Sequence, residues 1–200
     1  MTDETKALML TPADGPALAA VAETIAAAVG RREALGLTGP LTASGYREHV
    51  DRLLEQAALG DAGLGAVIDA HGNVLGTAQW TRSPYRTRRV LAEIDRVCVA
   101  PPARGLGVGR MLVQLVAGDA ADHGVEVLGL EVRGNNHGAI ALYEHCGFRS
   151  TGLIPNAVAE DQDRYDVVLM HRELPRPAGV RLVGSEPIGI GASAPRTLPG

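Results

Sequence analysis

Val97-Cys98-Val99-Ala100-Pro101-Pro102-Ala103-Arg104-Gly105-Leu106-Gly107-Val108-Gly109-Arg110-Met111-Leu112 is the stretch from which the rest of the chain can be ordered. Its left edge alternates like a strand and stops at Pro101-Pro102. Its right edge opens a helix, because Val108, Met111, Leu112, Leu115 and Val116 recur at helical spacing. Between the two, Gly105, Gly107 and Gly109 let backbone N–H groups face outward together with no Cβ in the way. A helix N-terminus behind them adds unpaired donors and a positive dipole end. Strand, glycine turn and helix start make a cradle for a phosphate or pyrophosphate.

Outward from this stretch, 200 residues suit one domain with a substantial core plus tails. A hydrophobic share of 46% with 21% charged residues is ordinary for a soluble protein. A formal net charge of -4 argues against nucleic acid as a general partner. Cys98 and Cys146 are the only cysteines, which suggests no disulfide framework and a reducing compartment. The opening MTDETKALML lacks a basic segment followed by an apolar run, and no apolar span approaches membrane length. The expectation is a soluble cytoplasmic protein with no membrane partner.

Taken in order, residues 1–6 are polar and read as a flexible start. Ala7–Leu10 reads as a strand, and Asp14 as the cap of a helix whose apolar stripe is Leu18, Val21, Ala22, Ile25 and Val29. Residues 31–41 read as a loop. A second helix starts near Ser44 and buries Tyr46, Val50, Leu53, Leu54 and Ala57. Leu64–Asp69 and Val74–Thr81 form a hairpin about His71-Gly72-Asn73. Arg82–Arg89 is a basic connection, either a solvated loop or a subunit contact; a homodimer is the protein partner left open. Val90–Val99 is the strand entering the glycine turn, and the helix after it runs to about His123. Val125–Val132 is a strand. Asn136 can cap a helix bearing Ala139, Ile140, Leu142 and Tyr143, which Gly147 ends. Phe148–Ile154 and Arg164–Met170 read as a closing strand pair around an acidic loop, residues 155–163. Residues 175–200 are rich in Pro, Gly and Ser and read as a disordered tail. The order predicts an α+β fold over residues 7–174, with a mixed, mostly antiparallel central sheet flanked by helices.

Two readings of the glycine turn compete. In the dinucleotide fingerprint G-x-G-x-x-G, Gly105 and Gly107 fit and Glu131 stands at a tolerable distance, but the third glycine position holds Arg110. Residues 100–104 also separate strand from glycine where a tight turn is needed, and hairpins precede the strand in place of parallel units. The second reading is the R-x-x-G-x-G signature, matched by Arg104, Gly107 and Gly109. With it comes Val132, Asn136, Ala139-Ile140, Leu142-Tyr143 and Gly147-Phe148, the run V-x-x-x-N-x-x-A-I-x-L-Y-x-x-x-G-F. These two motifs and the element order resemble the GNAT N-acetyltransferases. Gly152–Pro155 (G-x-I-P) is similar to the small-molecule branch of that family.

The resemblance implies acetyl-coenzyme A as cosubstrate and acetyl transfer to a primary amine, with a small molecule as acceptor. The backbone of Arg104, Gly105, Leu106, Gly107, Val108, Gly109 and Arg110 would hold the pyrophosphate. The strand Val97, Cys98 and Val99 would meet the acetyl carbonyl and pantetheine amides through its main chain. Asn136 would meet the pantetheine arm or a water, and Tyr143 would stand near the thioester sulfur. A protein N-terminus or lysine is the alternative acceptor. A coenzyme A-binding sensor without turnover is the alternative of another class.

Acetyl transfer needs a base for the amine, donors for the carbonyl oxygen as it gains charge, and an acid for the leaving thiolate. The backbone N–H of Val97 is the oxygen's candidate donor; the plainer reading is an ordinary paired strand residue. Tyr143 is the candidate acid, against a packed aromatic. Glu93, eleven residues before Arg104, is the candidate base, with Asp95 in reserve, against a solvated strand glutamate. The two-residue period puts Glu93, Asp95, Val97 and Val99 on one face. The acidic residues Glu160, Asp161 and Asp163, with Glu93, would favour a cationic acceptor. His137 and His145 lack the spacing of a helical metal pair, so no metal site is expected.

Overall fold

Alternating and helical hydrophobic periods resolve into strands and helices close to where the sequence puts them. The computed structural model describes residues 5–37 and 40–180. Residues 1–4 and 181–200, most of the flexible start and tail expected from composition, lie outside the described residues. In chain order the elements are β1 (Lys6–Met9), α1 (Gly15–Gly30), α2 (Ala43–Ala58), β2 (Ala62–Ile68), β3 (Val74–Arg82), β4 (Leu91–Val99), α3 (Val108–Asp122), β5 (Val127–Arg133), α4 (His137–His145), β6 (Arg149–Glu160) and β7 (Asp163–Glu173). The strands form one sheet in the order β1-β2-β3-β4-β5-β7-β6. Every neighbouring pair is antiparallel except β4 with β5.

Two hydrophobic clusters hold the layers together. One packs Leu18, Val21, Ile25, Tyr46, Val50 and Leu53 of α1 and α2 against Leu64, Ala66 and Cys98. The other packs Leu112, Val113 and Val116 of α3 and Tyr143 of α4 against Ala78, Trp80, Ala92 and Ile94. Each apolar stripe read from the sequence faces one of these clusters, as burial of apolar area requires.

Some expectations needed correction. Residues 155–163 are not a loop. β6 runs on to Glu160 and turns through Asp161-Gln162 into β7, pairing Glu160 with Asp163. A register shift between Ile154 and Val158 absorbs Pro155 and the left-handed Asn156 (φ 56). β6 is the edge strand of the sheet, where proline costs no ladder bond. Asp14 stands at the N-cap of α1, but its carboxylate turns back to accept from Thr11 N and Thr11 Oγ1 at 2.8 Å each. The basic connection is partly structural. The nearly buried Arg82 donates to the carbonyls of Gly60 (3.0 Å) and His123 (2.6 Å), and Asp61 pairs with both Arg82 and Arg89. The tail's first residues are anchored too, because Arg176 pairs with Glu126 at 3.4 Å and Glu173 at 3.1 Å.

The feature that places the site is the middle of β4. Its ladder to β5 covers only Leu91↔Val127, Ala92↔Leu128 and Glu93↔Gly129, after which the two strands part. On the other edge, Gln79 pairs with Asp95 and Thr77 with Cys98, so Arg96 and Val97 together stand opposite Ala78. Arg96 takes φ 49, the mark of a bulge. A bulge inserts one residue and flips every later side chain to the other face. Ala92 and Ile94 therefore join the α3 cluster, whereas Cys98 joins the α1/α2 cluster and Val97 and Val99 pack on the α3 side. The expectation that Glu93, Asp95, Val97 and Val99 share a face fails for this reason.

Candidate active site

Where β4 and β5 part, a cavity of about 360 Å³ opens. Its walls are the segment after α1 (residues 32–37), β4 from Glu93 to Val97, β5 from Glu131 to Arg133, Asn136, Ala139 and Tyr143, and the end of β6 with Val167 of β7. The glycine turn lies at the end of the same strand, β4. Gly105 (φ 78) and Gly107 (φ 81) hold left-handed conformations that an L side chain resists, and a Cβ on either would meet nothing within 4 Å. Gly107 is the N-cap of α3, with no side chain capping it. The turn thus offers open space beside unpartnered helix-end donors, which fits a pyrophosphate. Gly109 has a different reason. A Cβ there would stand 3.0 Å from Leu142 Cδ2, so this glycine lets α3 and α4 approach.

The Arg104 side chain turns away from the turn's open side. Its Nε donates to Val99 O at 3.1 Å and its Nη2 pairs with Glu33 at 2.6 Å. Burial raises the Glu33 pKa, but Arg31 and Arg104 outweigh it and hold this carboxyl below its usual range. Leu106, at the tip, is exposed, as is Arg110, while Val108 is buried in the α3 cluster. Cys98 faces the α1/α2 core. Burial, then Glu33, pushes its thiol up to about 11, so it is an inert packing group whose side chain does not line the cavity.

Tyr143 lines the cavity, edge-on to Phe148 with ring centroids 5.8 Å apart. Burial, reinforced by Cys146 and Asp95, pushes its phenol up to about 12, so it stays protonated near neutral pH. Asn136 lines the cavity while capping α4; its side chain accepts from Ala139 N at 3.2 Å. Val97 and both candidate carboxylates line it as well. Glu93 is exposed and has no ion pair among the described residues. Asp95 is half-buried: burial raises its pKa, and Arg96, His49 and Gln79 only partly offset the rise. Its Oδ1 is buried without a hydrogen-bond partner, and its Oδ2 lies 3.4 Å from Arg96 Nη1.

Two of the three hairpin acids are neutralised, while Asp163 has no cation partner among the described residues and lies outside the cavity lining. Glu160 pairs with Arg133 at 2.6 Å and Arg32 at 3.6 Å, and Asp161 pairs with Arg32 at 2.6 Å. The unneutralised acids of the cavity are Glu93 and Glu131, with Asp95 beside Arg96. Sequence reasoning missed Gln79, His49, Arg96 and Arg133. Gln79 had a signal: it is a long polar side chain between the apolar Ala78 and Trp80 inside a central strand. No helix among the described residues is long and apolar enough to cross a membrane.

Comparison with known proteins agrees with this geometry. The model of the acetyltransferase (GNAT) family matches residues 33–148, from the segment after α1 to Phe148. A Bacillus subtilis (strain 168) protein, provisionally named a phosphinothricin acetyltransferase, is 33% identical over 111 residues, covering 53% of this chain and 65% of its own. The Salmonella typhimurium ribosomal protein bS18-alanine N-acetyltransferase is 35% identical over 79 residues, 40% of this chain and 53% of its own. The chain thus spans between half and two thirds of the length of these curated relatives. A phosphinothricin acetyltransferase from Sinorhizobium meliloti, solved in complex with acetyl-coenzyme A, shares the fold. Its TM-score is 0.75 at 22% identity, covering 94% of this chain and 97% of that one. The glycine turn, the parted strands and a match over more than half the chain lead to one conclusion: this chain belongs to the acetyltransferase (GNAT) family.

Proposed function

We propose that the protein transfers acetyl from acetyl-coenzyme A directly to a primary amine of a small molecule. The observation that carries this reading is the opening between β4 and β5, whose cavity lies along the strand that ends in the glycine turn. The relative named for phosphinothricin acetylation supports a small acceptor. Acetyl-coenzyme A supplies an activated acyl group on sulfur, and the fit rests on the open, side-chain-free turn at the start of α3. Backbone N–H groups from Gly105 to Arg110 hold the pyrophosphate, the Arg104 N–H being donated to Pro101 O at 3.3 Å, and the main chain of Val97, Cys98 and Val99 holds the arm, with Asn136 beside it.

The chemistry then divides among this chain's groups. Proton removal from the amine falls to the cavity carboxylates, Glu93 and Asp95, directly or through a water. The Val97 N–H donates to the carbonyl oxygen as it gains charge. Tyr143 gives its proton to the departing sulfur and takes one back from water. As the new N–C bond forms, the C–S bond breaks, and the amine's proton leaves through the carboxylates to water. Two unpaired, buried thiols fit a cytoplasmic setting. The exposed edge strand β6 is the contact a homodimer would use, checked by sedimentation.

Thermal unfolding with acetyl-coenzyme A, free coenzyme A and NAD tests the reading first. A native-state ligand at a hundredfold excess over Kd stabilises by ~2.7 kcal/mol. Stabilisation by the coenzyme A ligands and none by NAD is expected, followed by acetylation of an amine in a screen. Stabilisation by NAD alone overturns the reading.

A further inference from the structure

A polar chain runs through the α1/α2 side of the sheet and ends at the cavity. Gln79 is 1% exposed, one of only two buried polar residues among those described. The other, Thr77, is satisfied locally, donating to Gly65 O at 3.0 Å. Gln79 is satisfied across elements. Its Oε1 lies 3.4 Å from Tyr46 Oη and 3.1 Å from His49 Nε2, both on α2. An amide oxygen only accepts, so both neighbours donate, and His49 carries its proton on Nε2. Gln79 and Asp95 are cross-strand partners, and the Gln79 side chain is one of the groups that hold the Asp95 pKa down against burial. Asp95 Oδ1 is the buried acceptor still wanting a donor.

A buried glutamine is costly unless its polar ends are used, and an apolar residue would fill this strand position more cheaply. We propose that Gln79, oriented by Tyr46 and His49, is a positioning residue that holds the Asp95 carboxylate in the cleft, making Asp95 the group that takes the acceptor amine's proton. The catalytic half of this inference rests on the acetyl-transfer reading; the positioning half does not. The chain explains why two carboxylates face one cavity. Asp95 is fixed and half-buried, suited to a defined proton transfer. Glu93, exposed, passes the proton on to water. The groups facing Asp95 are Arg96 and Glu93 on its own strand, Gln79 on β3, Tyr46 and His49 on α2, and Tyr143 on α4.

The test is the titration of Asp95 in the free, full-length protein, read by carbon-13 NMR of labelled aspartate carboxyls and assigned by the signal lost in Asp95→Asn. Gln79→Leu and the milder His49→Ala are each expected to move that titration to higher pH, because each removes support for the charged form. An unmoved titration in folded His49→Ala and Gln79→Leu protein overturns the positioning role. Should Gln79→Leu fail to fold, His49→Ala decides alone. With an acceptor in hand, Asp95→Asn should lower kcat by ~100-fold or more. The acid limb of the rate profile should follow the NMR shift in His49→Ala, with acetyl-coenzyme A KM unchanged. Wild-type kcat in Asp95→Asn would overturn the catalytic half. If no amine is acetylated at all, the acetyl-transfer reading fails, while the NMR result still stands or falls by itself.

Discussion

Tyr143 shows how burial equips a single side chain. Its phenol is pushed up to about 12 from an ordinary 10.0. Tyr143→Phe should slow acetyl transfer by ~100-fold or more while the thermal shift with coenzyme A persists; unchanged turnover would remove the acid role. The same shift has a sign for stability. A group whose folded pKa lies above its unfolded value lends stability that is full below the unfolded value and is lost as pH rises through the folded one. Wild-type protein should therefore lose thermal stability between pH 10.0 and about 12 more steeply than Tyr143→Phe does. Asp95 follows the same rule, but its window lies below working pH. Its pKa is raised above 3.8 chiefly by burial, so its charged form costs stability once pH passes the ordinary aspartate value. Asp95→Asn should raise the melting temperature at neutral pH while removing activity, which separates a functional strain from a structural need.

Elements explain why neighbouring glycines are not equivalent. Gly107→Ala forces an alanine into φ 81 at the head of α3, with open space around it. A cost of ~1–2 kcal/mol in stability is expected, together with weakened coenzyme A binding by calorimetry. Gly109→Ala keeps helical backbone but presses a methyl to 3.0 Å from Leu142, so its cost of ~1–3 kcal/mol comes through the α3–α4 contact. Arg82 is the corresponding device at the opposite ends of the helices. It donates to the carbonyl of Gly60, just after α2, and of His123, just after α3. Arg82→Met leaves both without that donor, and chemical denaturation should show a loss of ~1–3 kcal/mol. The motif R-x-x-G-x-G was legible because each residue is locally useful. That Arg104 would turn back to Glu33 was not, since Glu33 lies far away in sequence.

At the scale of the whole molecule, the cavity is closed on one side by charge pairs between distant segments. Arg32 of the segment after α1 reaches Glu160 and Asp161 at the tip of the β6–β7 hairpin, and Glu33 of the same segment reaches Arg104 beside the glycine turn. The sequence by itself determined the element order, the apolar stripes, the glycine turn and the residues that cap and end α4. These depend on contacts a few residues apart or on a repeating period, so Leu18, Val50 and Leu112 announce their burial without any knowledge of the fold. Only the tertiary structure decided the faces of β4. A bulge at Arg96 leaves no mark in the pattern AEIDRVCV, yet it turns Glu93 and Asp95 to one side and Val97 and Val99 to the other. The tertiary structure likewise decided that the acidic tip would be neutralised by Arg32 and Arg133, and that Gln79 would meet Tyr46, His49 and Asp95. Charge pairing and polar satisfaction act through space between strands and helices far apart in the chain, and no local period encodes them.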